Sequence, residues 1–64
     1  MEKRKIKELA SEEFFRLSES ETAPVWVRGE YNRSTRKYEC YKYEDVNTWS
    51  EFNGSRMVFV GFEY

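Results

Sequence analysis

The distribution of apolar residues along the chain predicts a β protein. Valine and aromatic residues are concentrated in three runs: residues 25–31, 37–43 and 57–64. Short runs of this composition, bounded by polar turn segments, are typical of strands. Alternation is clearest in the last run, where Val58, Val60 and Phe62 share one face of an extended chain. This C-terminal segment is the best candidate for a core strand.

The N-terminal segment is open to two interpretations. Ile6 and Leu9 are spaced i, i+3, which fits one short helical turn, followed by a strand that begins at Phe14. The alternative is a single helix from Ile6 to Leu17, because apolar positions also fall roughly along one helical stripe. We favour the turn and strand, since the rest of the chain is rich in strand formers. Residues 1–5 are mostly charged and are expected to fray.

A polar segment, residues 18–24, ends in the only proline of the chain and predicts a loop. The chain after it predicts a β-hairpin over residues 25–43, with its own loop at residues 32–36. Asn32 begins this turn, because an asparagine side chain can accept a hydrogen bond from the backbone two residues further on.

The register of this hairpin depends on the length of its loop. A symmetric pairing places Glu30 directly opposite Glu39, and like charges in that position are unfavourable. A bulged, odd-length loop avoids this pair and places Trp26 opposite Lys42. We favour the bulged form.

A second hairpin is predicted around Asn53-Gly54, because Asn-Gly is the strongest short-range hairpin signal. With these two residues at the turn, Glu51 pairs with Arg56 and Trp49 pairs with Val58. Both are favourable cross-strand pairs, so the turn and the pairing support each other.

These elements together predict a single, mainly β domain of residues 1–64. We expect an SH3-like or OB-like barrel, or a strongly curled antiparallel sheet of four or five strands, with at most one short helical turn near the N-terminus. Gly61 then marks a bend in the last strand, where a barrel would close. The core of so short a chain must come from its aromatic residues, which make up 19% of the sequence.

Three segments in their order carry a resemblance: Phe14-Phe15 with Leu17, VWVRGEYNRSTRKYECYKYEDVN at residues 25–47, and VFVGFEY at residues 58–64. This order resembles a group of short uncharacterised proteins from Bacteroides-type bacteria and their mobile elements, which share a V-x-[IV]-R-G-x-Y-x-R-S hairpin. The resemblance spans most of the chain, and residues 10–12 depart from it by lacking a Pro-Gly-like turn. It implies a bacterial source and no assigned activity.

The inventory of reactive side chains predicts a protein that is not an enzyme. The chain has no histidine, the usual general base at neutral pH, and its single cysteine, Cys40, is expected mid-strand as a buried, inert thiol. Glu44 and Asp45 are adjacent carboxylates without a third ligand at a suitable spacing, so they indicate the end of a strand and not a metal site. We expect no metal and no cofactor.

No leader or membrane-spanning segment is predicted. The basic start of the chain is not followed by an apolar run, and no stretch approaches the roughly 18 apolar residues of a membrane span. The lone cysteine fits a reducing compartment. These features predict a cytoplasmic protein that does not contact a membrane.

Binding is the remaining class of function, and the first hairpin is its candidate site. Residues 25–43 contain five basic residues against two glutamates, a net charge of +3 in a chain whose net charge is −1. The hypothesis is a nucleic-acid site in which basic side chains contact phosphates and aromatic rings stack on bases. Its residues are Arg28, Arg33, Arg36, Lys37, Lys42, Tyr31 and Tyr38.

The alternative is that these side chains divide between the two faces of the hairpin, with tyrosines in the core and arginines as solubilising charge. Glu30 and Glu39 favour this alternative, because they lie within the strands and would repel phosphates. If the hairpin binds nucleic acid, the loop of residues 32–37 is therefore a better candidate than the sheet face.

A protein–protein or self-association module is the rival hypothesis. A small β domain has strand edges that can accept a strand from a partner or from a second copy. The C-terminal strand, which ends at Tyr64, is the candidate edge, and aromatic residues left on the surface would form the interface. The expected partner is thus nucleic acid, another protein or a second copy of this chain.

Overall fold

The computed structural model describes residues 2–62, which form six strands in two antiparallel sheets. The strands are β1 (Glu2–Lys5), β2 (Phe14–Phe15), β3 (Trp26–Asn32), β4 (Lys37–Lys42), β5 (Trp49–Asn53) and β6 (Met57–Val60). The larger sheet has the order β2-β3-β4-β5, and the smaller sheet pairs β1 with β6. The mainly β prediction is confirmed. Within the described range the strands number six instead of four or five, and they do not close into a barrel.

A single turn of 3₁₀-helix, Ile6–Glu8, follows β1. The Leu9 backbone N–H donates to the Ile6 carbonyl at 3.0 Å, and both side chains are buried. The chain then reaches the short strand β2 without further helix, so the prediction of a turn followed by a strand is confirmed. Among the residues described, this turn is the longest helical segment, and none is long and apolar enough to cross a membrane.

The prediction that residues 1–5 fray is wrong for Glu2–Lys5, while Met1 lies outside the described residues. Glu2 pairs with Val60 and Lys5 pairs with Met57, so β1 runs along the whole of β6. The reason lies in the backbone of β6, whose peptide groups need hydrogen-bond partners once its side chains enter the core. The side chains of β1 are charged and exposed, so their pattern in the sequence does not indicate that this segment pairs with β6.

The first hairpin has the register in which Trp26 lies opposite Lys42, as predicted. Asn32 begins its turn: the Ser34 N–H donates to Asn32 Oδ1 at 2.9 Å, and the Arg36 N–H donates to the Asn32 carbonyl at 2.7 Å. The loop itself is not the irregular part, because Asn32 pairs directly with Lys37.

A β-bulge within β3 supplies the irregularity that was expected in the loop. Arg28 lies opposite Cys40 and Tyr31 lies opposite Tyr38, so Gly29 and Glu30 together face the single residue Glu39. Near the loop the pairing is therefore symmetric, and beyond the bulge it has shifted by one residue.

Gly29 is required at the bulge by a close backbone approach. A Cβ atom on Gly29 would lie 2.2 Å from the carbonyl oxygen of Glu39, which is too close for any side chain to fit. A bulge at this point therefore depends on a residue without a side chain.

The prediction of a second hairpin is wrong, although the turn at Asn53-Gly54 forms. The Arg56 N–H donates to the Asn53 carbonyl at 3.0 Å, yet β5 pairs with β4 and β6 pairs with β1. The Glu51–Arg56 and Trp49–Val58 pairs are therefore absent from the described sheets.

The backbone conformation at Asn53 explains this outcome. Asn53 occupies the first position of the turn and accepts the Ser55 N–H on its side chain, at 3.0 Å. Neither Asn53 nor Gly54 has the positive φ that a tight hairpin turn needs at its two central residues. The turn therefore directs the chain from one sheet to the other.

The core lies between the two sheets. Its buried members come from both sheets and from the 3₁₀ turn: Ile6, Leu9, Phe15, Trp26, Cys40, Val58 and Val60. The ring of Phe52 closes one side of it, with its centroid 5.2 Å from that of Trp26. Burial of Val58 and Val60 confirms that β6 is a core strand.

A backbone bridge at Arg16 joins the two sheets. Arg16 and Phe59 exchange two hydrogen bonds of 2.9 Å each, immediately after β2. The Arg16 side chain is buried, and its guanidinium carbon lies 4.4 Å from the ring centroid of Phe62. Gly61 makes the predicted bend between Val60 and Phe62, with φ of 80°.

We expect the substitution Gly29→Ala to lower the free energy of unfolding by more than about 1 kcal/mol, because the new methyl group cannot fit against the Glu39 backbone. Chemical denaturation followed by tryptophan fluorescence measures the change. The matched control is Glu30→Ala, the exposed neighbour in the same bulge, which should change the stability by less than about 0.5 kcal/mol. Equal effects of the two substitutions would contradict the close approach at Gly29.

Candidate functional site: the two faces of the larger sheet

The larger sheet has an inner face, which packs on the smaller sheet, and an outer face. Because side chains alternate along a strand, Tyr38, Cys40 and Lys42 of β4 point inward, while Glu39 and Tyr41 point outward. Residues paired directly across strands share a face. This rule places the predicted site residues of β3 and β4 on one face or the other, and it places Lys37 on the outer face.

Three of the predicted site residues meet at the loop end of the inner face. Tyr31 lies opposite Tyr38, and their ring centroids are 4.9 Å apart. Arg28, opposite the buried Cys40, places its guanidinium carbon 4.5 Å from the Tyr38 ring centroid. Tyr31 is 47% exposed, so one face of this cluster is open to a ligand.

The charge of Arg28 is not neutralised within the described residues. It forms no ion pair there, and its Nε atom is buried without a hydrogen-bond partner among residues 2–62. Its contact with the Tyr38 ring is a cation–π interaction, which holds the guanidinium in place and leaves its charge available.

Two further basic residues lie beside this cluster and were missed by the sequence analysis. The Arg56 guanidinium carbon lies 5.3 Å from the ring centroid of Phe52, which is paired with Tyr38. The Lys7 Cβ and the Tyr38 ring both lie close to Gly54. We call Lys7, Arg28, Tyr31, Tyr38 and Arg56 the basic rim.

The remaining predicted residues lie elsewhere. Lys42 is on the inner face at the opposite end of β4, where its Nζ is 5.7 Å from the Trp26 ring centroid. It lines a separate cavity of about 400 Å³ that also contains carboxylates. Arg33 and Arg36 are exposed on the loop, and Lys37 is exposed at the start of β4. The basic rim and the loop are thus adjacent, and Lys42 belongs to neither.

Hydrogen bonds to glutamates hold the loop against the sheet. The Thr35 hydroxyl donates to Glu51 Oε2 at 2.7 Å, and Asn32 Nδ2 donates to Glu39 Oε2 at 3.2 Å. These bonds bring neighbouring strands and the loop together, so the loop arginines project from a fixed base.

The glutamates that weighed against a nucleic-acid site lie on the other face. Glu39 points outward, opposite Glu51 of β5, and the bulge turns Glu30 to the same side. The expectation that Glu30 and Glu39 interrupt the basic surface is therefore wrong for the inner face. The cations of the basic rim and the carboxylates of Glu30 and Glu39 therefore lie on opposite faces of the larger sheet, although Lys37 shares the outer face with Glu39.

Cys40 is fully buried on the inner face, as expected of an inert thiol. Burial raises the pKa of the Cys40 thiol, and this outweighs the opposing effects of the Gly29 backbone N–H and the Arg28 charge. A raised pKa reduces the thiolate fraction at neutral pH, and the thiolate is the reactive form. No group of three described His, Cys, Asp or Glu residues is arranged to hold a metal ion.

No protein-family model, curated protein or solved structure matches this chain. The resemblance to short proteins of Bacteroides-type bacteria stays a prediction. The geometry of the described residues therefore carries the proposals that follow.

We expect Cys40 of the folded protein to react with iodoacetamide at neutral pH at least about tenfold more slowly than the same residue in denaturant, because it is both buried and protonated. Mass spectrometry of timed reactions measures both rates. The native rate should keep rising with pH beyond the ordinary pKa of a thiol. Modification of the native protein at the denatured rate would contradict the burial of Cys40.

Proposed function

We propose that this protein is a small non-enzymatic binding module that holds single-stranded nucleic acid along the basic rim and the loop of residues 32–37. The observation that supports this function is the separation of charge on the larger sheet. Phosphates approaching the inner rim meet Lys7, Arg28 and Arg56, while Glu30 and Glu39 point away from them.

The rim offers one open ring for stacking. Tyr31 is about half exposed, and its inner neighbour Tyr38 supports it from below. Stacking of a base on an aromatic ring contributes about 1–3 kcal/mol, and it is tolerant of sequence because every base has a π face. With a single open ring, the proposed binding is weak and has little base preference.

The loop extends the proposed path of the nucleic-acid strand beyond the rim. Arg33 and Arg36 are exposed and carry charge at the tip of the hairpin, next to Tyr31. Contacts of this kind contribute affinity by releasing counterions from the phosphate backbone. The sequence favours the loop over the sheet face as the binding site. We propose instead that the nucleic-acid strand passes over both.

We also propose a cytoplasmic location and a fold related to SH3-like or OB-like domains, in an open form whose described strands do not close into a barrel. Small β domains of those two classes commonly bind single strands or short peptides on one sheet face. A second candidate function, binding of another protein, is favoured by exposed aromatic residues on the outer face.

We expect a fluorescently labelled oligothymidine of about ten nucleotides to bind at low salt, with affinity falling on a log–log salt slope of about −3.5 if the three rim cations and the two loop arginines each contact one phosphate. Fluorescence anisotropy gives both the affinity and the slope. Arg28→Gln and Arg56→Gln should each reduce the magnitude of the slope by about 0.7, and Tyr31→Ala should weaken binding by about 1–3 kcal/mol.

The matched control is Arg4→Gln, which removes the same charge from the exposed strand β1, where Arg4 is already ion-paired with Glu2. It should leave the salt slope within error of the parent protein. The absence of any binding at low salt, or equal losses for Arg4→Gln and Arg28→Gln, would reject the proposed function. Circular dichroism checks that each variant is folded.

A further inference from the structure

The outer face of the larger sheet contains a groove of about 480 Å³. Its principal lining side chains are Glu12, Glu30, Glu39, Tyr41, Val46 and Trp49, which we call the outer groove. Tyr41 and Trp49 are directly paired across β4 and β5, so their side chains stand next to each other on this face. Trp49 is 61% exposed and Val46 is 65% exposed. Large apolar side chains with this exposure on one side of a groove indicate a binding surface.

The two walls of the outer groove are both held in place. On one side, the bulge turns Glu30 outward and Gly29 leaves the floor without a side chain. On the other, Asp45 fixes the loop that carries Val46: the Thr48 hydroxyl donates to Asp45 Oδ2 at 2.7 Å. The groove is therefore part of the fold and needs no rearrangement to form.

The aromatic rings of the outer groove lack the cation–π contacts that other rings of this chain make. Five aromatic rings each have a lysine or arginine of this chain over them: Trp26, Tyr38, Phe52, Phe59 and Phe62. Among the described residues, no lysine or arginine lies over Tyr41 or Trp49. These two rings instead have carboxylates as neighbours, and the groove lining contains no basic residue.

We propose that the outer groove binds an extended segment of another protein through an arginine or lysine side chain placed over Trp49 and Tyr41. Aromatic rings attract a cation, and the attraction is stronger when the cation is partly desolvated. Glu30 and Glu39 lie in the same groove and supply the opposite charge to its head group. An acidic or neutral segment would gain neither interaction.

The edge of the larger sheet beside Trp49 favours an extended partner. β5 is the last strand of its sheet, so one edge of its backbone is unpaired by any described strand. The edge strand β1 of the smaller sheet is protected by four consecutive charged residues, whereas β5 reads Trp-Ser-Glu-Phe-Asn. A partner strand added to β5 would run directly past the aromatic side of the groove.

This inference is independent of nucleic-acid binding, because it uses the other face of the sheet. The carboxylates of the groove are also not a metal site, since no three acidic residues of the described chain are arranged to hold an ion. The groove contains carboxylates beside two uncovered aromatic rings. This combination selects a positively charged side chain that is flat, as in arginine, or long, as in lysine.

The test uses the full chain and a bead-displayed library of random seven-residue peptides. We expect the retained peptides to be enriched in arginine or lysine at positions that alternate, as required of a strand placing them on one face. For the best peptide, Trp49→Ala and the double variant Glu30→Gln with Glu39→Gln should each weaken binding at least about tenfold. Replacing the peptide arginine by citrulline, which is neutral and similar in shape, should do the same.

Two variants guard against loss of folding as the explanation. Glu39→Gln removes a like-charge pair with Glu51 and keeps a side-chain oxygen that can accept the Asn32 Nδ2 hydrogen bond, so this substitution should not destabilise the sheet. Glu12 has φ of 67°, which asparagine tolerates better than glutamate, so Glu12→Asn should fold at least as well and still weaken the peptide. The matched control, Glu19→Gln in the exposed loop of residues 18–24, should leave peptide affinity unchanged.

Several outcomes would overturn the inference. These are a library that yields no peptide or yields neutral and acidic ones, equal affinity for the citrulline peptide, or equal losses for Glu19→Gln and the groove variants. Sedimentation of the free protein provides a further one: if Trp49→Ala converts a dimer into a monomer, a second copy of the chain and not a basic peptide occupies the groove.

Discussion

The close approach of the Gly29 backbone to Glu39 is the constraint on which the rest of the structure depends. It allows one extra residue in β3, and that residue shifts the faces on which all later side chains of the strand lie. Arg28 and Tyr31 are three residues apart and would face opposite sides of a regular strand. The bulge brings both to the inner face and turns Glu30 outward. The bulge at Gly29 thus places Arg28 and Tyr31 together in the basic rim and Glu30 in the outer groove.

Much of the first hairpin could be predicted from sequence because its determinants are local. The Asn32 turn, the pairing of Trp26 with Lys42 and the single helical turn at Ile6 all follow from neighbouring residues. The β1 strand could not be predicted, since its reason for pairing lies in β6, more than fifty positions away. The Asn53-Gly54 signal failed because tertiary packing placed Asn53 one position earlier in the turn than a hairpin requires.

The candidate site shows the same division between local and distant information. Arg28, Tyr31 and Tyr38 were named from one short stretch, and the structure brings them together. Lys7 and Arg56 could not be added, because they come from segments that meet the hairpin only in the folded chain. The sequence predicts the irregularity in the loop, where it would leave the alternation of side chains along β3 unchanged. The bulge lies within β3 instead, so Glu30 points to the outer face.

The basic rim and the outer groove lie on opposite faces of the larger sheet and carry charges of opposite sign. The net charge of −1 conceals this local arrangement, in which arginines lie at the rim and carboxylates are the only charged groups among the described residues that line the groove. In the field of a polyanion, charges placed in this way favour an approach with the basic rim first. If a nucleic-acid strand occupied the rim as proposed, the carboxylates and the uncovered indole of Trp49 would stay exposed, and the bound strand would gain a surface that attracts basic proteins, as an adaptor does.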